Sequence, residues 1–397
     1  MTTPAPPLRI GVAGLGRAFT LMLPTFRADP RVRLVAAADP LPAARAQFVR
    51  DFGGRAHEDV AALVADDAVD VVYIATPHEQ HAAHACAALA HGRHVLVEKP
   101  MAVTLPDCTA MIDAARAAQR HLIVGPSHSF DGPVLRARAR VASGELGRVR
   151  MIHALYCTDY MYRARRPEEM RTEDGGGVLF SQAAHQVDIV RLLGGGDAIA
   201  VRAQAGQWDA ARPTEGAYSA LLTFGSGAFA SLTYSGYGHF DGDELMADVS
   251  ELGWPKAAAD YGVARRRLRD APDPAAETAL KAARNYGGAR YAAPPAARPP
   301  HHEHFGHVLV CCERGDLRLT PDGVAVYADD ARRFEAVPVS SVPRVEVIDE
   351  LVAAVRHDTP PLHSGAWARA TLEVCRAMLE SSRSGREVAL QWQPAAA

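Results

Sequence analysis

The chain has 397 residues, room for about two to three domains, and its 48% hydrophobic and 22% charged residues exclude wholesale disorder. A formal charge of -3 gives no electrostatic case for nucleic acid or an anionic membrane surface as partner. No apolar stretch approaches the ~20 residues of a membrane span, the opening Met1–Pro7 does not read as a leader, and six cysteines without a CxxC or zinc spacing fit neither a disulfide scaffold nor a zinc site. The expected compartment is reducing cytoplasm.

In chain order, residues 8–13 form a short apolar run ending in glycines, and a helical pattern covers 21–26. Strand-like runs at 32–38, 69–75, 94–97 and 122–125 alternate with helical patterns at 43–52, 80–90 and 105–118. Continuous apolar strands separated by helices predict a parallel sheet covered on both faces, so residues 1–125 read as a doubly wound Rossmann domain of the α/β class. From residue 126 the rhythm changes. After a helix at 134–142 come longer strand-like runs at 149–156, 198–205, 218–224, 228–234, 307–312 and 324–327, with Gly225-Ser226-Gly227 as a hairpin turn. Two helices, 345–356 and 365–383, close the chain. Residues 126–397 thus read as an α+β domain with a largely antiparallel open sheet, serving substrate binding and oligomerisation. A stretch from about 241 to 300, with Arg265-Arg266-Arg267 and the run Pro294-Pro295-Ala296-Ala297-Arg298-Pro299-Pro300, interrupts that sheet as a surface insertion, a lid or an oligomer contact.

The first strand runs into Gly11-Val12-Ala13-Gly14-Leu15-Gly16-Arg17-Ala18-Phe19. Gly14 and Gly16 suit a tight strand-to-helix turn where bare backbone approaches a pyrophosphate, and the first helical turn at Arg17 and Ala18 offers N–H groups and a positive dipole end. Asp39 closes the second strand at about the distance expected of an acid that binds the ribose hydroxyls. The third glycine position holds Phe19, so the helix must sit differently or further out. Asp39 accepts bonds from a free 2′-hydroxyl and repels a 2′-phosphate, which favours NAD over NADP; Arg45 is the nearest cation.

Of the 43 basic residues only Lys99, Lys256 and Lys281 are lysine. Lysine and arginine are not interchangeable in a site, so a lysine kept in such a background is a candidate for chemistry. Lys99 stands in Glu98-Lys99-Pro100 at the end of the fifth strand, where doubly wound sheets bind ligands, and Pro100 allows a cis bond. Further on, Gly175-Gly176-Gly177 precedes Ser181, His185 and Asp188, spaced i, i+4 and i+7 along one helix face. A histidine with an acid one turn later is a candidate general base with an orienting carboxylate.

Together with Thr76-Pro77 followed by His81, and with Glu380-Ser381 and Gly385-Arg386 near the end, these motifs resemble the Gfo/Idh/MocA oxidoreductase family across nearly the whole chain. The resemblance implies a Rossmann domain, a C-terminal α/β domain with an open sheet, and NAD(P)-dependent oxidation or reduction. It implies that Lys99 and His185 serve the reaction and that Thr76, Pro77, His81, Glu98, Lys99 and Pro100 line the nicotinamide side. The family pattern commonly has Asp where this chain has Ser181, a departure that speaks against a sugar or inositol substrate. The stretches Gly125–Phe130, 181–188, 233–240 and His302-Glu303-His304-Phe305-Gly306 are similar to a narrower subgroup acting on phthalate 4,5-cis-dihydrodiols.

That subgroup implies oxidation of an aromatic-acid cis-dihydrodiol to a catechol, with His185 as proton acceptor and Lys99 supporting the reacting oxygen, or with those two roles exchanged. Tyr160 and Arg163 lie in an arginine- and phenol-rich stretch suited to carboxylates. His128, Ser181 and His239 complete the candidate substrate residues. The family chemistry needs no metal, although His301, His302, His304 and His307 with Glu303 form a histidine-rich tract. Other readings are a dehydrogenase or reductase of sugars or inositol, and a non-catalytic NAD-sensing regulator. An open sheet face predicts a homo-oligomer, dimer or tetramer.

Overall fold

A computed structural model describes residues 5–295 and 297–394. Met1–Pro4 of the opening stretch and Ala296 of the proline-rich run lie outside the described residues. The chain forms two compact units, one of residues 1–126, 279–298 and 340–369, the other of 127–278, 299–339 and 370–397. The division differs from a single cut after residue 125, because later segments return to the first unit. Tyr286, from the insertion, is wholly buried against Phe19. His363 and Ser364 flank the last strand of the first sheet, where the Val124 N–H donates to the His363 carbonyl at 2.9 Å.

The first sheet has six parallel strands, β1 (Leu8–Ala13), β2 (Val32–Ala38), β3 (Arg55–His57), β4 (Val71–Ile74), β5 (His94–Val97) and β6 (Leu122–Val124), in the order β3-β2-β1-β4-β5-β6. Val71, Val72, Tyr73 and Ile74 are all fully buried. A strand covered on both faces has no polar side to show, which is why these runs are continuously apolar. The order reverses between β1 and β4, and ligands of such sheets bind at the carboxyl ends beside that reversal. The glycine turn, the Thr76-Pro77 loop and Glu98-Lys99-Pro100 follow β1, β4 and β5 there.

The second sheet has nine strands: β7 (Val149–Cys157), β8 (Ala198–Gly206), β9 (Ala217–Phe224), β10 (Phe229–Ser235), β11 (His307–Cys312), β12 (Gly315–Thr320), β13 (Gly323–Tyr327), β14 (Arg332–Ala336) and β15 (Val388–Ala389). Their order is β14-β13-β12-β11-β7-β10-β9-β8-β15. The expected antiparallel pairing holds except between β7 and β10, which run parallel in register Phe229 to Met151 through Ser235 to Cys157. Alternation sorts the faces. Ile152, Ala154 and Tyr156 of β7 and Ala230, Leu232 and Tyr234 of β10 point inward, under the wholly buried helix Ala183–Gly194. On the other face Met151, His153, Leu155 and Cys157 are half-buried, and Leu221 and Phe229 are exposed.

The insertion carries short helices, Val263–Arg269 and Pro274–Ala282. Among the described residues no helix is long and apolar enough to cross a membrane.

Candidate functional site

At the end of β1, Gly14 takes φ +90°, and a Cβ there would lie 2.9 Å from the Ala75 carbonyl oxygen and 3.0 Å from the Thr76 nitrogen. Only glycine lets this turn rest on the Thr76 loop. Gly16 is the opposite case: a Cβ would meet nothing within 4 Å, so open space stands before it. The helix Arg17–Ala28 begins there, and its first-turn N–H groups at Ala18 and Phe19 have no carbonyl four residues back within the helix. Together these fit a pyrophosphate against bare backbone.

Asp39 is fixed by two amides, its Oδ2 accepting from the Leu15 N–H and its Oδ1 from the Leu41 N–H, both at 2.8 Å. Each carboxylate oxygen retains a second lone pair for a ribose hydroxyl. The Arg45 guanidinium is moored to the Asp39 and Pro40 carbonyls at 2.8 and 2.9 Å. The Phe19 side chain does not face the turn; it is core.

His81 is fully buried and bridges two loops, with Nδ1 3.0 Å from the Pro100 carbonyl and Nε2 2.9 Å from the Thr76 carbonyl. A neutral ring donates to only one of them, and burial pushes its pKa down to about 4. Thr76 Oγ1 meets His84 Nδ1 at 3.0 Å. Glu98 is buried, accepts from the Tyr73 hydroxyl at 2.6 Å, and has its carboxyl pushed up by that burial while Tyr73 and Lys99 pull the other way. Lys99 itself is half-buried and joined to Pro100 by a cis peptide.

In the second unit the triple glycine makes room for a carboxylate. A Cβ on Gly177, which sits at φ +80°, would collide with the buried Glu215, whose oxygens accept from Thr172 Oγ1 at 2.7 Å and the Leu179 N–H at 3.4 Å. Ser181, His185 and Asp188 do not share one helix. A four-residue turn, Val178–Ser181, breaks at Gln182 before Ala183–Gly194 begins. The Ser181 hydroxyl donates back to the Gly177 carbonyl.

His185 belongs to an aromatic cluster whose hub is Phe305. The Phe305 centroid lies 5.0 Å from His185, 5.3 Å from His128, 5.2 Å from Tyr156 and 6.0 Å from Tyr234, the last pair stacked. The Tyr234 hydroxyl meets Thr158 Oγ1 at 2.7 Å and donates to Gln182 Oε1 at 3.3 Å. The cluster is mostly apolar with a few polar tips, the surroundings of a ligand that is part ring and part hydroxyl.

His128 is buried, with Nδ1 2.8 Å from Asp131 Oδ2 and Nε2 3.6 Å from Glu251 Oε1. Burial alone would lower its pKa; Asp131 and Glu251 outweigh it and raise the ring to about 10, so His128 is an imidazolium. Glu251 also approaches the Arg163 guanidinium at 3.7 Å. Arg163 is exposed and Tyr160 half-buried, with Arg165 packed 3.5 Å over the Tyr160 ring and Arg163 at 5.4 Å. His239 lies past the end of β10 and is exposed.

The histidine-rich tract disperses. His301 pairs with Asp322, His302 with the Val337 carbonyl, and His304 Nε2 with the Val249 carbonyl at 2.8 Å. Glu303 instead joins His128 and Asp131, the one group of three or more among the described residues whose histidine and carboxylate ligand atoms all lie within 4.8 Å of one another. Phe305, Asp131, Glu251 and Glu215 were not read as functional from the sequence. The run from His302 to Gly306 was the available signal for Phe305.

Residues 8–126 match the family profile of Gfo/Idh/MocA oxidoreductases with an NAD-binding Rossmann fold, and residues 134–247 match the Gfo/Idh/MocA C-terminal domain. The 1-carboxy-3-chloro-3,4-dihydroxycyclohexa-1,5-diene dehydrogenase of Comamonas testosteroni is 48% identical over 379 residues, 95% of either chain. The crystal structure of a provisionally assigned dehydrogenase from Bordetella bronchiseptica RB50 superposes with a TM-score of 0.90 at 39% identity, over 96% of this chain and 100% of that one. Levoglucosan dehydrogenase, solved with NADH and levoglucosan, shares the fold at a TM-score of 0.72 and 18% identity, over 96% of this chain and 99% of that one. The fold and the glycine turn thus define an NAD-dependent dehydrogenase built on a Rossmann unit. The chain belongs to the Gfo/Idh/MocA oxidoreductase family.

Proposed function

We propose that this dehydrogenase oxidises a cis-dihydrodiol of an aromatic acid to the corresponding catechol. The observation that carries the reading is the likeness, over 95% of both chains, to a dehydrogenase named for a carboxylated dihydroxycyclohexadiene. The aromatic cluster around His185 and Phe305 supports it, and so does Ser181, which spends its hydroxyl on the Gly177 carbonyl where polyol enzymes of the family commonly carry Asp.

NAD supplies the hydride acceptor. Gly14, Gly16, Arg17, Ala18 and the Phe19 backbone would hold its pyrophosphate and Asp39 its ribose. The loops of Thr76, Pro77 and His81 and of Glu98, Lys99 and Pro100 would border the nicotinamide. The protein's own task is to orient one hydroxyl, take its proton and support the carbonyl that forms as hydride leaves carbon. Lys99 and His185 divide those duties. Tautomerisation of the ketone to an aromatic ring then makes the step downhill. Arg163, beside Tyr160, is the guanidinium for the substrate carboxylate, and His128 borders the ring; phthalate-type diacids are the favoured class, in aromatic-acid breakdown. His239 would contact substrate only from the exposed loop that carries it.

We further propose a cytoplasmic homo-oligomer, in which a second copy covers the sheet face bearing Leu221 and Phe229. All six cysteines are free thiols. The test is a panel of dihydrodiols, with and without ring carboxylates, alongside inositol and simple sugars, followed at the NADH absorbance band. Turnover confined to sugars or inositol would replace the reading with the polyol one, and no turnover with any of them would favour an NAD-sensing role.

A further inference from the structure

We infer that Glu251 is a specificity-determining residue: its carboxylate stands in for the substrate's between His128 and Arg163, and an aromatic acid binds by displacing it. The inference rests on the dehydrogenase reading above and deepens it, because it names the group that a carboxylated ring must outcompete.

One carboxylate here bridges two cations. Glu251 Oε1 lies 3.6 Å from His128 Nε2, and Oε2 lies 3.7 Å from Arg163 Nη2. One oxygen toward an imidazolium and the other toward a guanidinium is how a ligand carboxylate would be recognised. Both contacts are too long for charge-assisted hydrogen bonds, which close to about 2.7–2.9 Å. The other His128 nitrogen, Nδ1, meets Asp131 Oδ2 at 2.8 Å, so both ring nitrogens face carboxylates and both donate. Among the described residues the carboxylates nearest the Arg163 guanidinium are Glu251 and Asp159, at 3.7 and 4.0 Å. Two cationic donors are thus held in place with no carboxylate oxygen at bonding distance between them.

The chain fixes the backbone of Glu251 and leaves its side chain room to move. The residue sits in the turn 250–254, where the Ser250 N–H donates to the Trp254 carbonyl at 2.7 Å and the Gly253 N–H to the Ser250 carbonyl at 2.8 Å. The histidine-rich tract holds that turn. The His304 N–H donates to the Glu251 carbonyl at 3.2 Å, and His304 Nε2 donates to the Val249 carbonyl while Nδ1 accepts from the Gly306 N–H at 3.1 Å. The Glu251 and Arg163 side chains are 22% and 47% exposed. A rotation about the Glu251 side-chain bonds therefore lets its carboxylate leave and a solute's enter without moving the turn.

Charge makes the competition selective. Asp131, Asp159, Glu251 and Glu303 surround only His128 and Arg163. While Glu251 stays, an incoming carboxylate meets a surplus of negative charge. Of the four acids Glu251 is the one that bridges both cations, so its departure opens the place a ligand carboxylate needs. A neutral ring gives the two cations nothing in return for displacing it, whereas an acid replaces two long contacts by two close ones.

Titration calorimetry of the full-length protein with phthalate tests this, with phthalamide as the uncharged ligand of the same shape. Glu251→Gln keeps the size of the side chain and removes its charge. It should bind phthalate about 10-fold tighter or more, since a like charge at close range costs at least that much, and bind phthalamide as wild type does. Phthalate binding that is unchanged, weaker or undetectable in Glu251→Gln overturns the inference. Glu303→Gln removes an equal charge near His128 without touching Arg163 and should give a smaller gain; an equal gain assigns the effect to bulk charge and overturns the bridging role. Adding Arg163→Gln to Glu251→Gln should abolish the gain, and a gain that survives places phthalate elsewhere and overturns it as well. The titration needs no turnover. Failure of every dihydrodiol to react would sink the functional reading alone, and turnover of a carboxylated dihydrodiol with phthalate affinity indifferent to Glu251→Gln would sink this inference alone.

Discussion

The Phe19 and Tyr286 rings meet edge-on, centroids 5.2 Å apart and planes at 85°, with both side chains fully buried. Phe19 stands where a dinucleotide-binding turn usually has its third glycine, the one that lets helix and strand pack closely. Here the helix Arg17–Ala28 carries a large ring at that position, and a tyrosine from far along the chain covers it. The Tyr286 hydroxyl is tied down as well, donating to Asp51 Oδ2 at 2.6 Å. The insertion thus contributes to the core of the nucleotide-binding unit.

Tyr286→Ala should therefore destabilise the protein by about 3–5 kcal/mol, the cost of emptying a buried aromatic site, and weaken NAD binding by loosening the helix after the glycine turn. Tyr286→Phe keeps the ring pair and loses one hydrogen bond, about 1 kcal/mol. Denaturant unfolding and NAD titration of both variants check this. An Ala variant as stable as wild type would mean that the ring pair holds nothing in place.

The contrast between the two units explains what could be read from the residues alone. β1, β2 and β5 match their expected bounds because each is an apolar run closed by glycine or a polar residue. β3 and β14 escaped notice because Arg55–His57 and Arg332–Ala336 are short, polar edge strands without a hydrophobic face. The glycines and acids of the nucleotide turn were legible since their backbone demands restrict residue choice. The surroundings of His185 were only half legible. Helical spacing put Asp188 near it, but the Gln182 break, the Ser129 hydroxyl and the amide of His128 come from tertiary packing that no local pattern encodes.

Asp39 carries the cofactor preference. Asp39→Ala should weaken NAD binding and narrow the preference over NADP, because it removes both the acceptor for the ribose hydroxyls and the charge that repels a 2′-phosphate. It also frees the Leu15 and Leu41 amides that the carboxylate now holds. Asp39→Asn retains an acceptor and separates the two effects: it should recover part of the NAD affinity while still tolerating NADP. Affinities for both cofactors, measured by titration, decide it; a wild-type enzyme using NADP better than NAD would contradict the assignment.

His128 predicts a pH dependence of stability. Its folded pKa is raised to about 10, above an unfolded value near 6.5. Raised in this direction, the stabilisation is fully present below the unfolded value and is lost as pH climbs through the folded one. Stability should therefore fall between about pH 6.5 and pH 10, as the Asp131 and Glu251 carboxylates lose the imidazolium they share while Glu303 stays close by. His128→Gln should be less stable than wild type at neutral pH, with the gap closing toward pH 10. Urea midpoints of the two proteins across that range provide the comparison, and a gap that does not change with pH would show that His128 is not held as a cation.

Lys99 offers the sharpest test of the chemistry. It follows β5 at the carboxyl edge of the sheet, its backbone joined to Pro100 by a cis peptide and its neighbour Glu98 buried on the Tyr73 hydroxyl. The chain uses 43 basic residues and almost always chooses arginine, yet not here. A guanidinium is larger, planar and effectively never neutral, so it cannot place one compact nitrogen at a hydroxyl and take its proton. Lys99→Arg should thus lose turnover by about 10²–10⁴-fold, as for a removed general base, although one basic residue replaces another, and Lys99→Met should lose it as well. Both should still bind NAD, since Gly14, Gly16 and Asp39 are untouched. If Lys99 served only to balance charge, the arginine variant would keep most of its activity and the methionine variant would not. Turnover and NAD affinity for the pair separate the two cases, and a highly active Lys99→Arg enzyme would move proton acceptance away from this residue.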